Sequence, residues 1–384
     1  MTTDRFFGNQ PMFAALAAAL VIAVGMGFGR FAFTGIYPTM VDDGLLNVHA
    51  GSIAASVNYG GYLLGALLAV GINNKHAYRL CIWMLAATVL SLAALSVADE
   101  IWLIIFIRGL AGIFSALAMV GASVWLLQNK GYSQGAPLLY AGVGVGVGVL
   151  LSAEILAAGQ FFGFHSHDLW LLLAVSATAL AALAVAGLRD RTATRTSMRV
   201  QPLPDGMVSL GIGKLIVIYG LAGFGYIITA TFLPLLVSNA VDTLAPIHVW
   251  AVFGLGAVPS CFLWQSVVAR WGTRTALFTN LAVQAIGVVL PVISSLPAAY
   301  LASALIVGGT FMGAVTIAMP AASRIARTVQ FNVLAAMTAA YGVGQIAGPV
   351  VANYLFDWSH SFSAPLTVAG IVLWVAAMLC IRVL

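Results

Sequence analysis

"GFGRFAFTGIYP", residues 27–38, and "GFGYIITATFLP", residues 223–234, lie in two apolar stretches almost 200 residues apart. Both keep Gly-Phe-Gly at the front and a proline eleven residues after the first glycine. A second pair, "GVGVGVG" at 142–148 and "GVGQIAG" at 342–348, shares three of its four glycines at a constant offset of 200. Two matches in equivalent places point to an internal repeat, a common device of proteins that span membranes many times. The fold is therefore expected to be two parallel copies of one unit.

Composition decides the solvent those copies live in. Of the 384 residues 62% are hydrophobic and 7% charged, with mean hydropathy +1.04. A soluble domain runs near 25% charged, so this chain lacks the means to cover a water-facing surface. A bilayer-spanning helix needs about 20 mostly apolar residues. Twelve segments qualify: 12–40, 49–71, 80–98, 101–125, 136–162, 169–188, 215–238, 247–269, 275–294, 298–320, 333–356 and 362–381. The expected fold class is an all-α integral membrane protein of twelve transmembrane helices in two pseudo-symmetric six-helix bundles.

Charge placement agrees with that segmentation. If the helices alternate in direction, 14 of the 16 Lys and Arg fall in one set of connectors and termini, and none in the other. The opposite set carries Asp42, Asp43, Asp99, Glu100, Asp168, Asp242 and Asp357. The positive-inside rule then places both termini in the cytoplasm. The net charge of +5 follows from topology and points to no nucleic-acid partner. The longest connector, "RDRTATRTSMRVQPLPDG", is basic and proline-bearing. It divides the chain into an N-terminal bundle (1–188), a cytoplasmic linker (189–211) and a C-terminal bundle (212–384). The first segment is too long for a cleaved signal peptide and is expected to stay as a helix. Cys81, Cys261 and Cys380 show neither metal nor disulfide spacing and read as small hydrophobes.

Three further motifs carry a resemblance. "RGLAGIFSA" (Arg108, Gly109, Gly112), "RWGTR" (Arg270, Gly272, Arg274) and "GVGQIAGP" are similar to the fourth-helix, cytoplasmic-loop and Gly-Pro motifs of the major facilitator superfamily. The stretch "GFGRFAFTGIYP…NYGGYLLGALLA" looks like a bacterial branch of it, the YbfB/YjiJ-like transporters. The resemblance implies a monomeric secondary transporter of the bacterial inner membrane, a symporter or antiporter working by alternating access, with a small-molecule substrate. It departs from the superfamily at the loop motif, where Ala269 stands in place of the usual aspartate.

Three charges lie inside spans: Arg30, Arg108 and Glu154. At a rise of about 1.5 Å per residue, all three sit roughly 10–12 Å below the same membrane face. Intramembrane charges are costly, face the protein interior and pair. Two readings stay open. The three form a structural ion network, or they form a site in which the arginines hold an anionic substrate group and Glu154 carries a coupling proton. Arginine suits the second role because its planar fork meets a carboxylate bidentately. Tyr37 and Asn58 are expected beside Arg30, with Gly27, Thr34, Tyr59 and Tyr62 near them. The C-terminal half offers only neutral candidates, Tyr226, Gln345, Thr229, Thr310 and Asn353, each of which also suits an ordinary interhelical hydrogen bond. Gly61, Gly65, Gly144, Gly148, Gly344 and Gly348 are expected along the seam where the halves rock.

Other chemistry finds little support. "GVGVGVG" lies mid-span, without the strand-to-helix turn a dinucleotide site needs, and "GIGKL" lacks the P-loop spacing. "HSHD" at 165–168 falls in a short loop, and no HExxH or CxxC occurs. No metal, cofactor or enzymatic activity is expected. The sequence leads to proton-coupled movement of a small organic anion. Efflux of cationic or amphipathic drugs onto Glu154 is the alternative, and a membrane sensor or membrane enzyme is the reading from another class.

Overall fold

A computed structural model of the protein describes residues 10–69, 74–128, 136–188, 211–240, 244–325 and 332–381. All regular structure among them is helical. In chain order the α-helices are α1 (Gln10–Ile22), α2 (Ala32–Asp42), α3 (Val48–Ala69), α4 (Ala77–Leu95), α5 (Ile101–Leu127), α6 (Ala136–Phe161) and α7 (Ser166–Gly187). They continue with α8 (Ile212–Ala240), α9 (Pro246–Ile293), α10 (Pro297–Ile325), α11 (Val333–Ser359) and α12 (Ser363–Ile381). Eleven helical segments are long and apolar enough to cross a membrane, the first of them α1 and α2 run together as Met12–Asp42. Of the expected linker only Gly211 lies within the described residues.

One span is twice too long. At about 1.5 Å per residue the 48 residues of α9 would extend roughly 72 Å, against about 30 Å of hydrocarbon. Gly272 resolves the excess: its φ of 75° and ψ of 166° break the helix between the expected segments 247–269 and 275–294. Only glycine takes that backbone region without strain, which gives the glycine of "RWGTR" its physical reason. Among the described residues the arginines of the motif form no ion pair with a carboxylate. Arg270 is exposed. Arg274 donates from Nε to the Cys380 carbonyl at 2.6 Å and from Nη2 to the Ile381 carbonyl. A cation there caps the open carbonyls at the end of α12.

The first span is not one continuous α-helix. Between α1 and α2, residues Ala23–Phe31 form a π-helix, all nine of them buried. Its sequence "AVGMGFGRF" is poor in helix formers, with glycines at 25, 27 and 29. These also admit neighbours: a Cβ on Gly27 would strike the backbone of Gly148, and one on Gly29 would meet the Thr88 methyl. The repeat partner α8 is α-helical throughout, although Pro38 and Pro234 occupy matching places inside α2 and α8.

Helices α1 to α7 pack chiefly among themselves, through α3–α5, α4–α5, α4–α7 and α6 against α1 and the π segment. Helices α8 to α12 do the same, through α9–α10, α8–α11 and α9–α12. The two sets meet along α6–α9 and α3–α11, with α2 touching α8 and α9. The glycines expected on that seam lie elsewhere. A Cβ on Gly61 or Gly65 would strike α5 at Gly109 or Ile113, and Gly144 and Gly148 face Ala19 and Ala23. Gly344 and Gly348 face Gly220 and Ile227 of α8. All six therefore weld helices within a set. The seam uses Gly142 against Cys261, Gly146 against Val258, Gly254 against Leu150 and Gly342 against Leu63. Residues two apart on a helix point about 200° apart, so Gly142 and Gly144 serve opposite neighbours.

The three cysteines are buried and free. Trp102, Trp271 and Trp358 stand exposed at helix ends, where aromatic side chains favour the membrane interface. At the acidic end of the helices, Asp43 reaches across from the end of α2 to the start of α7. Its carboxylate accepts from the Ser166 backbone N–H at 2.7 Å, from the Ser166 hydroxyl and from His165 Nδ1 at 2.9 Å. Partial burial alone would raise the Asp43 pKa, but the hydrogen bonds from Ser166 and His165 outweigh it and hold it below the usual range. The hydrogen bond to Asp43 and its charge, with Asp168 adding to them, raise that of His165. The stabilisation from protonated His165 is lost as pH rises through its elevated pKa. That from ionised Asp43 is lost as pH falls through its depressed one. Asp43→Asn is expected to bring the His165 pKa down towards the ordinary imidazole value, as followed by NMR titration of the ring.

Candidate functional site

The π segment delivers its last turn to the centre of the molecule, and Arg30 lies there, 3% exposed. Its Nη2 donates to Gln345 Oε1 of α11 at 3.1 Å. Three rings surround the guanidinium: Tyr62 at 3.9 Å, Tyr59 at 5.1 Å and Phe31 at 5.2 Å from its carbon to their centroids. Its Nε is buried without a hydrogen bond, and no carboxylate among the described residues comes within ion-pair distance. Ring faces offset part of the cost of burying a cation, yet they leave the charge without a counter-ion.

Gln345 links this group onward. Its amide nitrogen donates to the Tyr226 hydroxyl of α8, whose ring stacks on that of Tyr341. Tyr59 of α3 shares a hydrogen bond with Thr231 of α8 at 3.0 Å. The sequence candidates Arg30, Tyr226 and Gln345 are thus brought together. Tyr341, one helical turn before Gln345, was missed as a neighbour of the site; its signal is a second polar group on the same face of an apolar helix.

Arg108 is equally buried but differently employed. Nη1 donates to the Gly29 carbonyl at 2.9 Å and Nη2 to the Arg30 carbonyl at 2.8 Å, while the guanidinium covers the Phe33 ring at 4.5 Å. It therefore ties off backbone at the end of the π turn, and its terminal nitrogens are not offered to a ligand. Asn58 in turn donates to the Arg108 carbonyl at 2.7 Å. Both residues position Arg30 from behind.

Glu154 is elsewhere. It is exposed on the outer face of α6, while the adjacent Ser152 and Ala153 are buried, and it pairs with neither arginine. The expected three-charge cluster does not form, because equal depth along a helix says nothing of the direction faced. Tyr37 also departs from Arg30: its hydroxyl donates to the Val48 carbonyl at 2.8 Å and its ring stacks on Phe33. Thr34 is buried, and the Thr229 hydroxyl is buried without a partner. The Thr310 hydroxyl donates to the Ile306 carbonyl at 2.7 Å. Asn353 belongs to the acidic end, where it bridges His49 and Asp357 at 2.9 and 3.1 Å and accepts from Ser52 at 3.5 Å.

The site surrounding Arg30 thus offers one permanent positive charge, an amide, several phenol hydroxyls and aromatic walls, contributed by α3, α8, α11 and the π segment. Among the described residues around Arg30 there is no acid, thiol or imidazole, and the groups present lie where the two helix sets meet. No curated protein matches the chain. A family model described as "Uncharacterised MFS-type transporter YbfB" matches residues 22–381, nearly the whole sequence. With its eleven long apolar helices, the chain belongs to this family of major facilitator-type membrane transporters.

Proposed function

We propose that the protein is a secondary transporter that moves a small organic anion by alternating access, with Arg30 as the anion's anchor. The observation that carries this reading is a buried guanidinium with no counter-ion whose terminal nitrogen meets a side-chain amide, where the terminal nitrogens of the equally buried Arg108 are both held by backbone carbonyls. An isolated buried charge is expensive, so a site that keeps one gains from an anion that arrives and leaves. Gln345 Oε1 occupies the place on Nη2 that a carboxylate oxygen would take. A carboxylate displacing it would break a hydrogen bond between the two helix sets, which ties binding to their relative movement.

In this proposal the chain crosses the membrane twelve times, α9 counting twice on either side of Gly272. The spans form bundles 1–188 and 212–384, joined by 189–211, with both termini cytoplasmic in the bacterial inner membrane. The conformation is closed at the acidic end. There Tyr37 packs towards Phe232, Gly35 lies against Ile247 and Trp250, and Ser52 meets Asn353 across the seam. Towards the basic end Tyr62 and Tyr341 are only partly buried, leaving the site more accessible from that side. A proton held by Glu154 is not part of this reading, and neither is cation efflux onto it, since its carboxylate faces away from the site. In place of Glu154, His49 and Asp357, joined through Asn353 across α3 and α11, are the candidates for carrying a coupling proton.

The test is thermal unfolding of purified protein in detergent with acetate, benzoate, succinate, choline and glucose. A ligand that binds the folded state alone raises the midpoint. Stabilisation by carboxylates and not by choline or glucose is expected; stabilisation by choline alone overturns the anion reading.

A further inference from the structure

Six rings form a continuous, nearly parallel column beside the site: Tyr219, Tyr341, Tyr226, Phe311, Phe253 and Trp250 in order. Successive centroids lie 4.4, 5.8, 5.3, 5.3 and 4.6 Å apart, with planes 25°, 20°, 18°, 29° and 20° from parallel. All come from α8 to α11. Helices in membranes usually meet through small residues, so a ring column at the centre of the second helix set asks for a reason beyond packing.

The column is joined to Arg30 in two ways. Phe31, the next residue, meets Phe311 edge-on at 6.0 Å and 73°. Gln345 bonds the guanidinium on one side and the Tyr226 hydroxyl on the other. That hydroxyl lies in the plane of its ring, so the rim of the Tyr226 ring is turned towards the Gln345 amide that holds the guanidinium. The ring faces inside the column cover one another, which leaves rims to meet a ligand. Ring rims are electropositive and ring faces electronegative, and edge-to-face contact satisfies both.

From this we infer that the transported anion is an aromatic carboxylate, its ring lying face-on to the column's rims and its carboxylate on Arg30. The inference rests on the anion reading above. A saturated body of equal size would fill the same space without the quadrupole contact. A cationic ligand is not favoured here, because the column's faces cover one another and those of Phe31, Tyr59 and Tyr62 already hold the guanidinium.

The experiment compares benzoate, cyclohexanecarboxylate, acetate and benzamide in thermal unfolding of the intact protein at pH 7, with Arg30→Gln and Phe311→Leu alongside. Benzoate is expected to act at a concentration about five-fold below cyclohexanecarboxylate, the factor one aromatic contact supplies. Phe311→Leu is expected to erase that preference and keep the response to cyclohexanecarboxylate. Equal action of the two acids on the wild type overturns the aromatic inference and leaves the anion reading standing. If no acid stabilises the protein, or benzamide matches benzoate and Arg30→Gln changes nothing, the anion reading falls and the aromatic one with it.

Discussion

Arg30→Gln is expected to weaken anion binding on the order of 100-fold while leaving the unliganded protein as stable as the wild type or more so. A charge-assisted hydrogen bond contributes about 1.5–3 kcal/mol, and a carboxylate on Arg30 would make such bonds in a buried site. Without ligand the balance reverses. Arg30 sits among rings with one amide partner and an unused Nε–H, so a neutral amide of shorter reach relieves the burial of an unpaired cation. Arg30→Lys keeps the charge but loses the fork and much of the contact with Tyr62, and should fall between. The check is the unfolding midpoint with and without a stabilising carboxylate, followed by uptake into proteoliposomes. Full retention of anion stabilisation in Arg30→Gln would remove Arg30 from the site.

Arg108→Gln is expected to do the opposite. It leaves the Gly29 and Arg30 carbonyls without the guanidinium and uncovers Phe33. Two hydrogen bonds from a charged donor contribute about 1.5–3 kcal/mol each, and relief of a buried cation whose Nε is also unpartnered offsets part of that, so a loss on the order of 3 kcal/mol follows. The unfolding midpoint should drop by several degrees before any ligand is added. Lysine carries a charge but cannot span two carbonyls with a rigid fork, so Arg108→Lys should recover only part of the loss. Two arginines of like burial thus separate by the sign of their effect on the empty protein. An Arg108→Gln variant of wild-type stability would show that the π turn does not depend on this clasp.

What could be seen in the sequence follows from what apolar patterning and charge encode. The membrane class and the helix positions came from length and hydropathy, with the helix break at Gly272 falling between two expected segments. Polar residues in otherwise apolar helices marked Arg30, Tyr226 and Gln345, which do meet. Azimuth was the missing coordinate. Glu154 matches Arg30 in depth but faces outward, and Gly144 and Gly148 have the spacing of close contact without stating the partner. The π turn left no trace in hydropathy, so nothing distinguished an arginine that holds backbone carbonyls from one that meets a side-chain amide.

The buried cysteines carry a practical consequence. The chain has three, and none is exposed. A maleimide or nitroxide reagent applied to the folded protein meets a background free of accessible thiols. A pair of new cysteines at the exposed positions Asn47 and His360, one from each half, would then take both labels. Their separation, read by dipolar spectroscopy, would show whether the acidic end opens, with no native residue replaced to silence the background.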